Sequence, residues 1–236
     1  MTDVAAGKLV ATLWPEVGGR IRSLTVDGVE LLWSDPDGLG GPRAPFPLPG
    51  GDKVWLGPQT SWPGEHPYPL LDLEPWSLKG GEMRSRLEPS LGIRLVRRVY
   101  AEDESLVVET EMEGEAERDV WLWQVTQFLL PGSARLPTPE LRLGSEGRED
   151  RARHRHEGDA VAVETDGGGP WKVSSAEPVE WVEAEVRGAR LRRTLEGGHG
   201  LGQVYDSERN GYWELELHSP LGVSIHRERW TGERLA

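Results

Sequence analysis

Apolar and polar residues alternate with a period of two along most of this 236-residue chain. A strand sends successive side chains to opposite faces, so this pattern marks strands with one buried and one wet face. Leu106–Glu113, Val120–Phe128 and Trp181–Val186 read this way. Tyr212–His218 alternates strictly: Trp213, Leu215 and Leu217 point one way, and Tyr212, Glu214, Glu216 and His218 the other. Asp27-Gly28, Glu113-Gly114 and Asn210-Gly211 separate the runs as turn signals. No segment carries a convincing helical pattern. Many short strands with such turns predict an all-β fold, a sandwich or barrel of antiparallel sheet. Strand-like sequence flanks Gly167–Pro170 on both sides without a change in composition, so residues 1–236 are read as one domain. Asp35–Pro49 is rich in Pro and Gly and reads as a rim loop or lid, or else as plain surface.

Composition narrows the function. The net charge of -13 opposes binding to a phosphate backbone, so no nucleic-acid partner is expected. Arg148–Arg155 mixes Arg with Glu149, Asp150 and His154 and reads as a solvated segment. There is no cysteine, which removes disulfides, thiolate metal sites and Cys nucleophiles and is compatible with the cytoplasm. No apolar run is long enough for a transmembrane span, and Met1–Lys8 lacks the features of a signal peptide. No phosphate-binding Gly-rich motif and no nucleophile elbow occurs, so no cofactor is expected. His154 and His156 alternate as strand-borne ligands can, but among Arg and without a third ligand they do not predict a metal.

Gly50–Pro63 carries the densest chemistry. It holds Asp52, Lys53, Trp55, Gln59 and Trp62 in a run broken by Gly and Pro, which predicts a fixed, irregular loop. Indole rings with a few converging polar groups suit the apolar faces and hydroxyl edges of a sugar or related polyhydroxylated ligand. Lys53 is one of only four lysines among 27 basic residues, with Lys8, Lys79 and Lys172. Unlike Arg, a buried Lys shifts its pKa readily, so Lys53 is a candidate acid or hydroxyl donor, with Asp52 as a candidate ion-pair partner. His66, in Gly64–Tyr68, is the other candidate acid.

Leu13–Leu24, with Gly18-Gly19, followed by Asp27–Trp33, resembles the opening of galactose mutarotase-like proteins. Gly50–Gln59 is similar to a loop in a divergent branch of that superfamily, and Trp123–Gln127 and Trp213–Pro220 resemble its later site strands. Residues 135 to 200 carry no such anchor. The resemblance implies an antiparallel β-supersandwich with a sugar held on a concave sheet face. Aldose 1-epimerases of this superfamily open the sugar ring with a Glu as base and a His as acid, while a second His holds the substrate. Here the first His is absent and the Lys53 segment lies near its place. The strand of the second offers Gln124, Thr126 and Gln127 instead. Glu214 or Glu216 is the counterpart of the catalytic Glu.

The resemblance thus implies an epimerase-type isomerase with an altered acid–base set. Its base is Glu214 or Glu216, its acid Lys53 or His66, and its binding groups are Trp55, Gln59, Trp62, Trp123, Gln127 and His218. A non-catalytic sugar-binding module with the same cleft is the second reading. A structural or interaction sandwich with its Trp residues in the core is the third. His226, beside Arg227 and Glu228, reads as an exposed strand residue.

Overall fold

The computed structural model describes residues 1–35, 48–115, 119–147, 152–207 and 211–235. Most of the Asp35–Pro49 excursion, the start of the Arg148–Arg155 segment and Asn210 lie outside these residues. The chain opens with β1 (Thr2–Ala6), β2 (Leu9–Trp14), β3 (Arg20–Val26) and the short β4 (Val29–Glu30). β5 (Asp52–Gly57) is followed by a 3-10 turn (Gln59–Ser61) and the helix α1 (Pro69–Asp72). Next come β6 (Ser77–Lys79), β7 (Glu82–Arg84), β8 (Ile93–Glu102), β9 (Ser105–Gly114) and β10 (Trp121–Leu129). β11 (Gly132–Leu136), β12 (Leu141–Gly147), β13 (Arg153–Glu157), β14 (Ala160–Thr165) and β15 (Trp171–Ser175) occupy the unanchored middle. β16 (Trp181–Val186), β17 (Ala189–Leu195), β18 (Leu201–Asp206), β19 (Tyr212–His218) and β20 (Ile225–Arg234) complete the chain.

These strands form two antiparallel sheets of ten strands each. The front sheet runs β1-β2-β3-β5-β10-β19-β18-β15-β12, with β4 paired to β3. The back sheet runs β13-β14-β11-β16-β17-β20-β9-β8-β7-β6. The Gly167–Pro170 run carries the chain from β14 in the back sheet to β15 in the front one. Asp27 and Gly28, both at positive φ, make the two-residue turn between β3 and β4, as their sequence predicts.

Side chains of the two inner faces meet in one continuous apolar core. Phe128 of β10 stacks on Trp213 of β19 at 4.7 Å, and Trp171 and Trp230 are buried in the same core. Each such side chain contributes roughly 1.5–3 kcal/mol by leaving water.

Two sequence expectations fail here for one reason. Asp52–Gly57 is not an irregular loop but β5, an interior strand paired to β10 and β3. Gly50, Gly51 and Pro58 only bound it. Asp52, Val54 and Leu56 point into the core while Lys53 and Trp55 point out, so charge sits on both faces and masks the alternation. His226 is not exposed either. It is buried with Glu228 and Trp230 on the inner face of β20. In both strands a partner from a distant part of the chain neutralises the inward charge, Arg97 of the facing sheet for Asp52 and Arg193 of the neighbouring strand for Glu228, and polarity no longer reports exposure.

That partner network crosses the core. Arg97 of β8 binds the Asp52 carboxylate, and its Nη1 donates to the Asp52 carbonyl at 3.0 Å. Thr126 of β10 donates to the other Asp52 oxygen and accepts from Arg193 of β17. Arg193 grips Glu228 with two hydrogen bonds at 2.6 and 2.8 Å. His226 and the Trp230 indole complete the shell around Glu228, at 2.7 and 2.6 Å. Asp52 therefore turns away from Lys53 and is not its partner.

Candidate functional site

Strand register lays out rows of side chains on the outer face of the front sheet. β5, β10, β19, β18 and β15 pair in that order, all antiparallel. One row reads Trp55, Trp123, His218, Leu201. The next reads Lys53, Val125, Glu216, Gln203. The third reads Gln127, Glu214, Tyr205, Lys172. Residues directly opposite across antiparallel strands share a face with Cβ atoms about 4.5–5.5 Å apart. The face predicted to be wet on β19 is covered: Glu214 is 6% exposed and Glu216 fully buried.

The rings form a stack. Trp55 meets Trp62 edge to face at 5.5 Å, Trp62 stacks on Trp123 at 5.8 Å, and Trp123 stacks on His218 at 4.7 Å. Trp55 and Trp123 are buried, while Trp62 keeps part of its surface exposed. Trp62 holds its place by donating its indole N–H to the Leu56 carbonyl at 2.7 Å.

Glu216 is tied down on all sides. Its Oε2 accepts from Trp123 Nε1 at 2.9 Å and lies 3.4 Å from His218 Nε2, and its Oε1 lies 3.0 Å from Lys172 Nζ. Burial pushes its carboxyl up, but the Lys172 charge and the His218 hydrogen bond outweigh this and hold it well below the usual range. His218 Nδ1 accepts from Trp121 Nε1 at 3.3 Å. An indole only donates, so the ring proton sits on Nε2, where Gln203 Oε1 lies 2.9 Å away.

Glu214 and Lys53 are held differently. Gln127 Nε2 donates to Glu214 Oε1 at 2.7 Å. Burial pushes the Glu214 carboxyl up, against the lowering charge of Lys53. Lys53 is fully buried, and its Nζ finds no hydrogen-bond partner among the described residues. It lies 4.1 Å from the centre of the Trp55 ring. Burial and then the neighbouring Arg20 charge bring it down to about 8, against the pull of Glu214, Asp72 and Glu216.

Local sequence explains why Arg20 and Asp72 are present. Arg20 donates to Asp72 Oδ1 at 2.5 Å, and the Trp55 indole donates to the same oxygen at 2.9 Å. Gly18 and Gly19 both take positive φ. A Cβ on Gly18 would lie 2.0 Å from the Asp72 carbonyl oxygen, and one on Gly19 would lie 2.3 Å from the Trp76 ring. The Gly-Gly pair thus lets α1 approach and deliver Asp72.

Lys53, Trp55, Trp123, Gln127, Glu214, Glu216 and His218 therefore share one face, with Trp62 packed against it. Gln59 is exposed on the 3-10 turn. His66 is half-buried in the connection that follows, off the sheet. Sequence reasoning missed Arg20, Asp72, Lys172, Gln203 and Trp121. Lys172 carried a usable signal as another of the four lysines, but its segment had no anchor. Beyond His218 the face opens into a cavity of about 500 Å³, lined by Trp121, His199, Leu201, Gln203 and Leu221 among others.

No protein-family model and no curated protein sequence matches the chain. Solved structures do. A galactose mutarotase-like protein from Lactobacillus casei superposes with a TM-score of 0.64 at 11% identity, covering 99% of this chain and 100% of that one. The chain has the galactose mutarotase-like fold. A galactose mutarotase-like protein from Clostridium acetobutylicum gives 0.57 at 9% identity, covering 99% and 95% of the two chains. An aldose epimerase homologue from C. elegans gives 0.57 at 12%, covering 100% and 99%. The galactose mutarotase-like fold accounts for the order of the sequence motifs: the Gly-Gly opening, β5, β10 and β19 lie far apart in sequence and side by side in the front sheet. Among the described residues no helix is long and apolar enough to cross a membrane.

Proposed function

We propose that the outer face of the front sheet binds a sugar or a closely related polyhydroxylated small molecule and interconverts its anomers. The observation that carries this reading is the buried pair Lys53 and Glu214, an amine pushed down and a carboxyl pushed up on neighbouring rows of one face. Opposite shifts of this kind bring an acid and a base toward the working pH. Glu214 takes the proton of the anomeric hydroxyl while the Lys53 ammonium gives one to the ring oxygen. The ring opens to an aldehyde, the bond beside it rotates, and the reverse transfers close the ring on either face. Glu216, held ionised, serves as an anchor for Lys172, Trp123 and His218 and not as the base. Trp62, Trp123, His218 and Gln127 supply stacking surface and hydroxyl partners, with Trp55 backing Lys53.

Proton NMR of freshly dissolved α-anomers tests this. The protein accelerates anomer exchange of at least one sugar, and Glu214→Gln abolishes the acceleration while Glu216→Gln lowers affinity first. A sugar whose lines broaden without faster exchange would make the face a binding module. The closed packing of Trp55 and Trp123 is the observation that favours that second reading.

A further inference from the structure

Ring opening as drawn above leaves Lys53 as a neutral amine beside a new aldehyde, and Glu214 as a carboxylic acid. The inference that follows rests on that reading. We propose that Lys53 is also a carbonyl-capturing nucleophile, forming an imine with the open-chain form of a small hydroxyaldehyde or aldose.

Several observations carry it. Lys53 Nζ is a fully buried donor with no hydrogen-bond partner among the described residues, and buried donors are nearly always satisfied. It sits over the Trp55 ring at 4.1 Å, a face that favours a cation and so also steadies the iminium the reaction forms. The charged groups around it are Arg20 from β3, Asp72 from α1, and Glu214 and Glu216 from β19. Desolvation beside another cation is the general way a lysine is readied for Schiff-base chemistry. Gln127, bound to Glu214 through its nitrogen, keeps an Oε1 without a partner among the described residues, available to a substrate hydroxyl.

The step balances without an oxidant or reductant. The Lys53 lone pair forms the C–N bond and the carbonyl π pair moves to oxygen. Glu214 delivers its proton to that oxygen and takes the surplus proton from nitrogen, giving a carbinolamine. Glu214 then protonates the hydroxyl, which leaves as water while the nitrogen lone pair closes the C=N bond. The products are an iminium on Lys53, a Glu214 carboxylate as its counter-ion, and water.

Glycolaldehyde is the probe, because it needs no ring opening and is the smallest hydroxyaldehyde. The intact protein is incubated with it, reduced with borohydride, digested and mapped by mass spectrometry. Lys53 is expected to carry the reduced adduct at about tenfold or more the occupancy of exposed Lys8 and Lys79, since about half of its amine is neutral at pH 8, where an ordinary lysine is almost wholly charged. Occupancy of Lys53 equal to or below that of Lys8 and Lys79 overturns the proposal. Faster anomer exchange with Lys53 unlabelled removes the imine and keeps the acid role. A labelled Lys53 without anomer exchange keeps the imine and removes the isomerase reading.

Discussion

Two buried charge clusters lie back to back on the same strands. On the inner face of β5 and β10, Asp52 and Thr126 join Arg97, Arg193 and Glu228 in a network that crosses the core. On the outer face, Lys53, Gln127, Glu214 and Glu216 gather with Arg20, Asp72 and Lys172. The inner cluster sets an Arg against each carboxylate, with Arg193 forked on Glu228. The outer one leaves the Lys53 amine without a hydrogen bond among the described residues. Charges paired one to one, Arg97 with Asp52 and Arg193 with Glu228, mark a fastener. An expensive, unsatisfied group marks a place kept ready for something else.

The sharpest way to break this contrast is to remove one charge from each cluster. Arg193→Met strands Glu228 in the core and is expected to cost about 3–5 kcal/mol in denaturant unfolding. Lys53→Met removes a buried amine that has no hydrogen-bond partner among the described residues and leaves Glu214 to take up a proton, so it is expected to cost less than Arg193→Met, under about 3 kcal/mol, while anomer exchange disappears. A comparable loss at both positions would make Lys53 a fastener too.

Acidity sharpens it further. Glu228 is held down chiefly by Arg193, which overcomes burial, so its contribution is present above the unfolded value of 4.5 and fades as pH falls below it. Relative to Glu228→Gln, the parent protein loses its advantage on that acid limb. Lys53 behaves oppositely. Its folded value of about 8 lies below the unfolded 10.5, so the unfolded chain binds more protons in that window. The parent therefore gains stability relative to Lys53→Met as pH rises from about 8 to 10.5. Denaturation midpoints of the pairs across pH check both signs. The smallest effect is reserved for the outer back sheet: Arg155→Ala, breaking exposed pairs with Glu157 and Glu164, is expected to shift stability by less than about 1 kcal/mol.

Much of the front sheet could be read from residues alone. Tyr212–His218 declared both its strand and its faces, because a one-residue alternation leaves only one choice once Trp213 and Leu215 must be buried. Asp27-Gly28 declared its hairpin. β5 was hidden, because both of its faces are buried and both carry charge. His226 was hidden too, since it bonds Glu228 and what lets Glu228 stay buried is Arg193, thirty-five positions before it on β17. Lys53 was legible as unusual and Glu214 as one of two carboxylates. Which of the two is restrained depends on Lys172, which arrives from β15 across the intervening strand β18.

The sequence by itself determined the all-β class, the strand directions of the clearest runs and the short list of chemical groups, because side-chain period and turn chemistry are local. Tertiary structure alone decided which groups meet, which carboxylate is locked and that Lys53 is dry. Register between distant strands sets those rows, and burial sets the protonation each group prefers. Neither is a property of any short stretch of chain.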